Sequence, residues 1–352
     1  MVRDMETTMI KTLYCALLLM LIQSYAAASD CEGGQQLDLV CGFTAPEDIE
    51  LAPDNITLVV GEMILGGRLL ALNSDTYAVS ELFPAQSVKG DALWGEEVCT
   101  DYPDQMTFHG IDLAYRSDGV LQLLAVNHGE RESVEFFEVL VDAGGAPQGL
   151  IWRGCAMAPG SESLNDVAAL PDGGFISTTP FDGSELWSIA KALVGFNTGY
   201  VRRWAPDSGW AVIPGTEGRY PNGVIARPNG ESFFVNLYID GLVREYRMDG
   251  TVIGEADVIN GDNLSWGSDG RIRIASHRAS SWQMVKALEA QASENLNIPF
   301  AIVEYDPSSQ SVEDIFVHDG STYGAATVAQ EVNGQIFMGS FKGGRVAVLK
   351  AY

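Results

Sequence analysis

The sequence predicts an all-β chain, a six-bladed β-propeller with short helical insertions, and three observations lead to it. A strand–turn–strand unit recurs six times along the chain. In five of the six units the turn is an Asp-Gly or Asn-Gly pair, which supplies the positive φ angles that tight hairpins need. The apolar runs are short, and 38 of the 352 residues are glycine, as expected for many strands joined by tight turns.

The chain opens on a segment that reads as an export signal, residues 1–28. Lys11 precedes the apolar run from Leu13 to Ile22, and Ala26-Ala27-Ala28 gives a small-residue cleavage pattern. The run is too short to span a bilayer comfortably. Asp30, directly before Cys31, argues against a lipid-anchored cysteine. Residues 29–352 are then expected to form one propeller domain, secreted or periplasmic, with no transmembrane span. Outside the signal four cysteines remain, Cys31, Cys41, Cys99 and Cys155, an even number suited to an oxidising compartment. Three pairings exist, and Cys31–Cys41 with Cys99–Cys155 is the one expected.

The six units follow in order. The first joins Glu47-Asp48-Ile49-Glu50-Leu51 to Thr57-Leu58-Val59-Val60 through a turn near Asp54-Asn55. The second runs from His109-Gly110-Ile111 through Asp118-Gly119 to Leu123–Val126, the third from Asn165-Asp166-Val167 through Asp172-Gly173 to Phe175–Thr178. The fourth, fifth and sixth begin at Asn222-Gly223-Val224, Asp262-Asn263-Leu264 and Ala325-Ala326-Thr327, with turns at Asn229-Gly230, Asp269-Gly270 and Asn333-Gly334. Hairpins at this spacing suit a radial array of four-stranded blades. The strands lack the aromatic girdles of a membrane barrel. Two helical stretches interrupt the pattern: residues 184–193 with Ser184 as N-cap, and residues 282–297. Each follows the second strand of a repeat, where it can fold over one face as a lid or equally be surface decoration.

In a propeller, equivalent positions of each repeat converge on the central channel. Here those positions carry Glu47, His109, Asn165, Asn222 and the pair Asp262-Asn263. The same residue types also initiate strands and cap turns, but five of six repeats with a metal-type donor at one position is a pattern. Calcium takes six to eight oxygens from carboxylates, amide carbonyls and water, so Glu47, Asn165, Asn222, Asp262 and Asn263 are candidate ligands of one ion. Asp48 and Asp166, each following a ligand and aimed one layer deeper, with the backbone carbonyl of Ile111, are candidates for a second. Backbone N–H groups could equally hold those two acids.

Of the four histidines, His109 opens the second repeat and His128 ends its partner strand, so a hairpin brings them together. Such a pair can deprotonate a water and carry the proton onward. His277 ends the corresponding strand of repeat five and is expected to line the pocket; His318, in a turn-like stretch, is expected to be solvated. There is no GxSxG elbow, no P-loop and no zinc-type Cys/His spacing. A formal charge of −26 excludes nucleic acid and anionic membranes as natural partners.

In their order, Pro46-Glu47-Asp48-Ile49-Glu50, Phe108-His109-Gly110-Ile111, Val126-Asn127-His128, Leu164-Asn165-Asp166-Val167, Pro221-Asn222-Gly223-Val224 and Gly261-Asp262-Asn263-Leu264-Ser265 resemble the paraoxonase/arylesterase family of calcium-dependent lactonases. The resemblance implies two calcium ions per chain. Glu47, Asn165, Asn222, Asp262 and Asn263 would hold a catalytic one, and Asp48, Ile111 and Asp166 a structural one. It implies a His109–His128 dyad hydrolysing lactones or aryl esters, with phosphotriesters as a side activity. The chain departs from the family in ending without a cysteine, so ring closure must rely on strand pairing. Two further readings stand beside this one: a sugar-lactonase of the gluconolactonase type, and a non-catalytic propeller whose calcium is structural and whose rim binds a partner.

Overall fold

The computed structural model describes residues 31, 33–34, 36–91 and 93–350. The expected export signal lies outside the described residues. Six antiparallel sheets form a ring, as in a six-bladed propeller. Four of the blades are built from consecutive strands, and in the third Phe181–Asp182 intervenes to pair with Glu162–Ser163 instead. Each predicted hairpin supplies a blade's innermost two: Pro46–Leu51 with Thr57–Glu62, Phe108–Tyr115 with Leu121–Asn127, Val167–Ala169 with Phe175–Thr179, Pro221–Ala226 with Ser232–Leu237, Gly261–Trp266 with Ile272–His277, and Ala326–Val332 with Gln335–Ser340.

The sixth blade closes the ring. Its outermost strand is Leu37–Cys41, which pairs antiparallel with Arg345–Lys350, so the two ends of the propeller share one sheet. This is the expected closure by strand pairing. The second blade has a fifth strand, Ser87–Lys89, lying parallel to Pro147–Met157.

Alternation along the strands explains why they read as continuous apolar runs. Each blade is packed between two neighbours and buries both faces. Leu58 and Val60 point into the cluster shared with the last blade, with Phe337 and Val348. Val59 points the other way, towards Phe108, Leu123 and Trp152 of the second blade. Phe233 and Val235 face Ile176 and Val201, whereas Phe234 between them faces Ile272 and Tyr305.

The disulfides are Cys31–Cys41 and Cys99–Cys155, with Cα separations of 6.0 and 5.5 Å. They match the expected pairing and an oxidising environment. Among the described residues no helix is long and apolar enough to cross a membrane. Among the described residues the helices are α1 (Glu185–Leu193) and α2 (Ser281–Glu289). Ser184 caps α1 as predicted, accepting from the Trp187 N–H. Helix α2 is shorter than predicted: Ser280 and Gln283 form a capping box at its start, and it stops at Glu289. Beyond it Leu296 and Ile298 turn inward to pack with Ala287, Ala325 and Phe341, which a continued helix would prevent. His318 also departs from expectation. It packs, tilted by 31°, against Phe300 and Phe316 at centroid distances of 5.4 and 5.9 Å instead of standing in solvent.

Candidate active site

The site is made where the inner strands begin. In five blades the first residues of that strand shift register against their partner, between Pro46 and Asp48, Phe108 and Ile111, Pro221 and Val224, Gly261 and Leu264, and Ala326 and Ala329. Such bulges free residues from the ladder and re-aim their side chains. The freed residues include Glu47, His109, Asn222, Asp262, Asn263 and Thr327. In four blades the preceding residue, Ala45, Tyr220, Asn260 or Ala325, is left-handed, with φ of 50°, 62°, 46° and 55°. Left-handed backbone is unfavourable for side-chain-bearing residues, and its repetition at one position marks a constrained rim. Gly110 and Gly223 allow neighbouring bulges to approach. A Cβ on Gly110 would stand 2.2 Å from Asp166 Oδ1, and one on Gly223 2.4 Å from the Asp262 carbonyl oxygen.

All five expected ligands of the first ion are buried. Their hydrogen bonds divide them in a telling way. The amide nitrogens face neighbours: Asn263 Nδ2 donates to Glu47 Oε1 (3.1 Å), Asn165 Nδ2 lies 3.3 Å from His109 Nε2, and the Asn222 amide bonds the Asp262 carboxyl. The oxygens Glu47 Oε2, Asn165 Oδ1 and Asn222 Oδ1 are buried without any partner. A buried polar atom without a partner costs about 1–3 kcal/mol. Three of them, all oxygens and drawn from three blades, fit an oxygen-preferring cation. Among the described residues no three His, Cys, Asp or Glu side chains gather as a metal-binding group. The donor set is instead two carboxylates and three amides, a mixture suited to calcium and unsuited to zinc. Burial, then the nearby Asp48 and Asp262, pushes the Glu47 carboxyl well above the usual carboxylate range. Burial raises Asp262 to about 8, against the Asn222 hydrogen bond. Opposing positive charge at this spot would remove that penalty.

His109 Nδ1 and His128 Nε2 are 2.8 Å apart, so the hairpin brings the two imidazoles into hydrogen-bond contact. His109 Nε2 stands 3.8 Å from Glu47 Oε1, beside the orphaned oxygens. Burial, followed by the neighbouring His128, holds the His109 imidazole well below its ordinary value and thus neutral. His277, 2% exposed, lies on another wall of the pocket. Its Nδ1 is 2.9 Å from the Tyr238 hydroxyl, and its Nε2 is 3.6 Å from Asp262 Oδ2. Burial lowers its pKa to about 4.

The expected ligands of the second ion have a different environment. Asp48 accepts the Ile49 and Ile111 N–H groups at 2.9 and 2.7 Å. Asp166 accepts those of Val167 and Val224, both at 2.7 Å. Asp112 likewise accepts the Ala169 N–H at 2.7 Å. These three acids stitch the first four blades to one another in turn, and it is the N–H of Ile111 that meets Asp48. Burial raises Asp48 to about 7 and Asp112 to about 6, and with Asp48 beside it raises Asp166 as well.

Above the channel lies a cavity of about 680 Å³, the size of a small-molecule site. Its floor is polar and its walls are mainly apolar: Met63, Leu164 and Phe181, Ile189 and Leu193 of α1, and Met284 of α2. Both helices therefore border the pocket. Glu185 of α1 accepts a hydrogen bond from Tyr220 (2.6 Å), which ties this helix to the residue two before Asn222. Sequence reasoning missed Glu132, Thr327, Tyr220 and Tyr238. Thr327 was within reach, since it fills the sixth copy of the polar column; its hydroxyl donates to the Glu47 carbonyl at 2.5 Å.

The fold and this site define a six-bladed propeller with a partly open pocket over its central channel. No protein-family model matches the chain, and no curated protein does. Solved structures do match. A gluconolactonase of Xanthomonas campestris aligns with a TM-score of 0.51 at 17% identity, over 92% of this chain and 92% of that one. A protein whose gluconolactonase assignment is itself provisional aligns at 0.52 and 16%, over 90% and 92%. A luciferin-regenerating enzyme aligns at 0.52 and 11%, over 89% and 95%. At such identities the likeness is one of fold.

Proposed function

We propose that the protein is a calcium-dependent hydrolase of lactones and aryl esters. The observation that carries this reading is the set of orphaned buried oxygens on Glu47, Asn165 and Asn222 beside a neutral, paired His109 at the floor of an apolar pocket. The paraoxonase/arylesterase resemblance of the same residues supports it. Glu47, Asn165, Asn222, Asp262 and Asn263 would hold the ion, which when bound supplies Lewis-acid polarisation of the carbonyl and stabilises developing negative charge. His109 Nε2 takes a proton from water as the water oxygen attacks the carbonyl carbon. His128 bears the imidazolium charge through the shared Nδ1 contact. As the ring C–O bond breaks, the proton returns to the departing alkoxide, giving the open hydroxy acid. His277 is assigned to the pocket wall. A second calcium at Asp48, Asp166 and the Ile111 carbonyl is the finer part of the proposal, and metal stoichiometry of two rather than one per chain tests it.

The apolar walls favour substrates with a hydrocarbon group over polyhydroxylated sugar lactones. The test is turnover of a panel of alkyl lactones, a sugar lactone and phenyl acetate, with calcium and after chelation. We expect calcium-dependent hydrolysis, lowered roughly 10²- to 10⁴-fold in His109→Gln and lost in Asn222→Ala. A folded, calcium-loaded protein that turns over none of the panel would sink the reading in favour of a binding propeller.

A further inference from the structure

We propose that Glu132 is a positioning residue, the anchor of a carboxylate–imidazole–imidazole chain that sets the tautomers of His128 and His109. The consequence for turnover rests on the hydrolase reading above; the tautomer assignment does not. Glu132 lies four residues after His128 in the loop between Leu121–Asn127 and Ser133–Val141. Its Oε2 is 2.8 Å from His128 Nδ1, and its Oε1 accepts the Leu164 N–H at 2.7 Å. One carboxylate thus braces both the dyad and the segment that presents Asn165.

The chain has a direction because an ionised carboxylate only accepts. Glu132 Oε2 takes the proton on His128 Nδ1, which leaves His128 Nε2 as an acceptor. His128 Nε2 then receives the proton of His109 Nδ1 across 2.8 Å. His109 Nε2 is left with a lone pair, beside Glu47 and Asn165 where the proton must be taken up. The reverse tautomer would present an N–H there and no base. The logic is that of a carboxylate orienting an imidazole in a nucleophile–base–acid chain, extended by one ring.

The loop is built to hold this alignment. Asn127 Oδ1 accepts the Thr107 and Gly129 N–H groups, both at 2.9 Å, and its Nδ2 donates to the Arg131 carbonyl at 3.2 Å. The adjacent cation, Arg131, is turned away into a two-point pair with Glu135, both contacts 2.8 Å. It therefore does not compete with His128 for Glu132.

The test joins ¹⁵N NMR of the histidine rings in the calcium-loaded protein to steady-state kinetics on the best lactone of the panel. Expected is neutral His128 protonated at Nδ1 and bare at Nε2. In Glu132→Gln, which is isosteric and retains an oxygen for the Leu164 N–H, the His128 signals should move towards the other tautomer. There kcat should fall by at least roughly 10-fold and by up to about 10⁴-fold, the loss seen when the carboxylate that orients a triad imidazole is neutralised, with KM little changed. A bare Nδ1 on wild-type His128 overturns the proposal, as does a shifted tautomer with kcat within about twofold of wild type. If the wild-type protein hydrolyses nothing on the panel, the hydrolase reading fails, and the ring-nitrogen signals alone decide the chain.

Discussion

Adding calcium to chelated protein should raise its melting temperature by several degrees, and the size follows from the site. Three buried oxygens, on Glu47, Asn165 and Asn222, have no hydrogen-bond partner. At about 1–3 kcal/mol each, satisfying all three recovers roughly 3–9 kcal/mol. The unfolding entropy of a chain of 352 residues is about 0.7 kcal/mol per degree near the midpoint. The expected shift is therefore roughly 4–12 °C at a calcium concentration well above the dissociation constant. Calorimetry or dye-monitored melting in millimolar calcium against excess chelator measures it. Asn222→Ala removes one oxygen and should shrink the shift by about a third. Magnesium, which demands a tighter octahedron, should act less strongly. A midpoint unmoved by calcium, or moved equally in wild type and Asn222→Ala, would refute the assignment of these oxygens to a cation.

The remaining predictions concern pH, packing and crosslinks. Without metal, Asp48, Asp112 and Asp262 have folded pKa values raised to about 7, 6 and 8. The folded state thus binds protons that the unfolded chain has released, and stability falls as pH rises from the unfolded carboxylate range through those values. Melting of the chelated protein should be highest near pH 5 and drop towards pH 8, whereas the calcium-loaded protein should show a flatter profile; a chelated midpoint that rises over this range contradicts the reasoning. Gly223→Ala places a Cβ 2.4 Å from the Asp262 carbonyl oxygen and 2.6 Å from Asn263 Cα, so urea unfolding should show a loss of about 1–3 kcal/mol and a weaker calcium response. Replacing both Cys99 and Cys155 by Ala opens a crosslink spanning 56 residues and should destabilise by roughly 4 kcal/mol on the loop-entropy model. The same change at Cys31 and Cys41, 10 residues apart, should remove roughly 3 kcal/mol.

Much of the architecture was legible because it is local and repeated. A hairpin is set by its turn residues and by alternation on either side. Thus Asp118-Gly119, Asp172-Gly173 and Asn333-Gly334 located strand pairs that the structure confirms. Six copies of one pattern also aligned a column of residues, and that column brought Glu47, His109, Asn165, Asn222, Asp262 and Asn263 to notice before any geometry was known. The helix of α1 was readable from its cap and apolar face. The end of α2 was not, because Leu296 and Ile298 answer to a core cluster formed with residues distant in the chain.

Only the tertiary structure decided how the polar column is wired. Nothing local distinguishes an Asn oxygen left orphaned from one that is paired; that depends on a neighbour in another blade, as with Asn263 and Glu47, 216 residues apart. The same holds for Asp48, Asp112 and Asp166, whose carboxylates reach backbone donors on the next blade. Glu132 was invisible in sequence because its importance comes from two contacts, one to His128 in its own loop and one to Leu164 in the adjoining blade. Periodicity prescribes which way a side chain points, and the closing of the ring determines what it meets there. That is why the sequence sufficed for the blades and the polar column, while the contacts among Glu132, His128 and His109, the orphaned oxygens and the apolar walls required the fold.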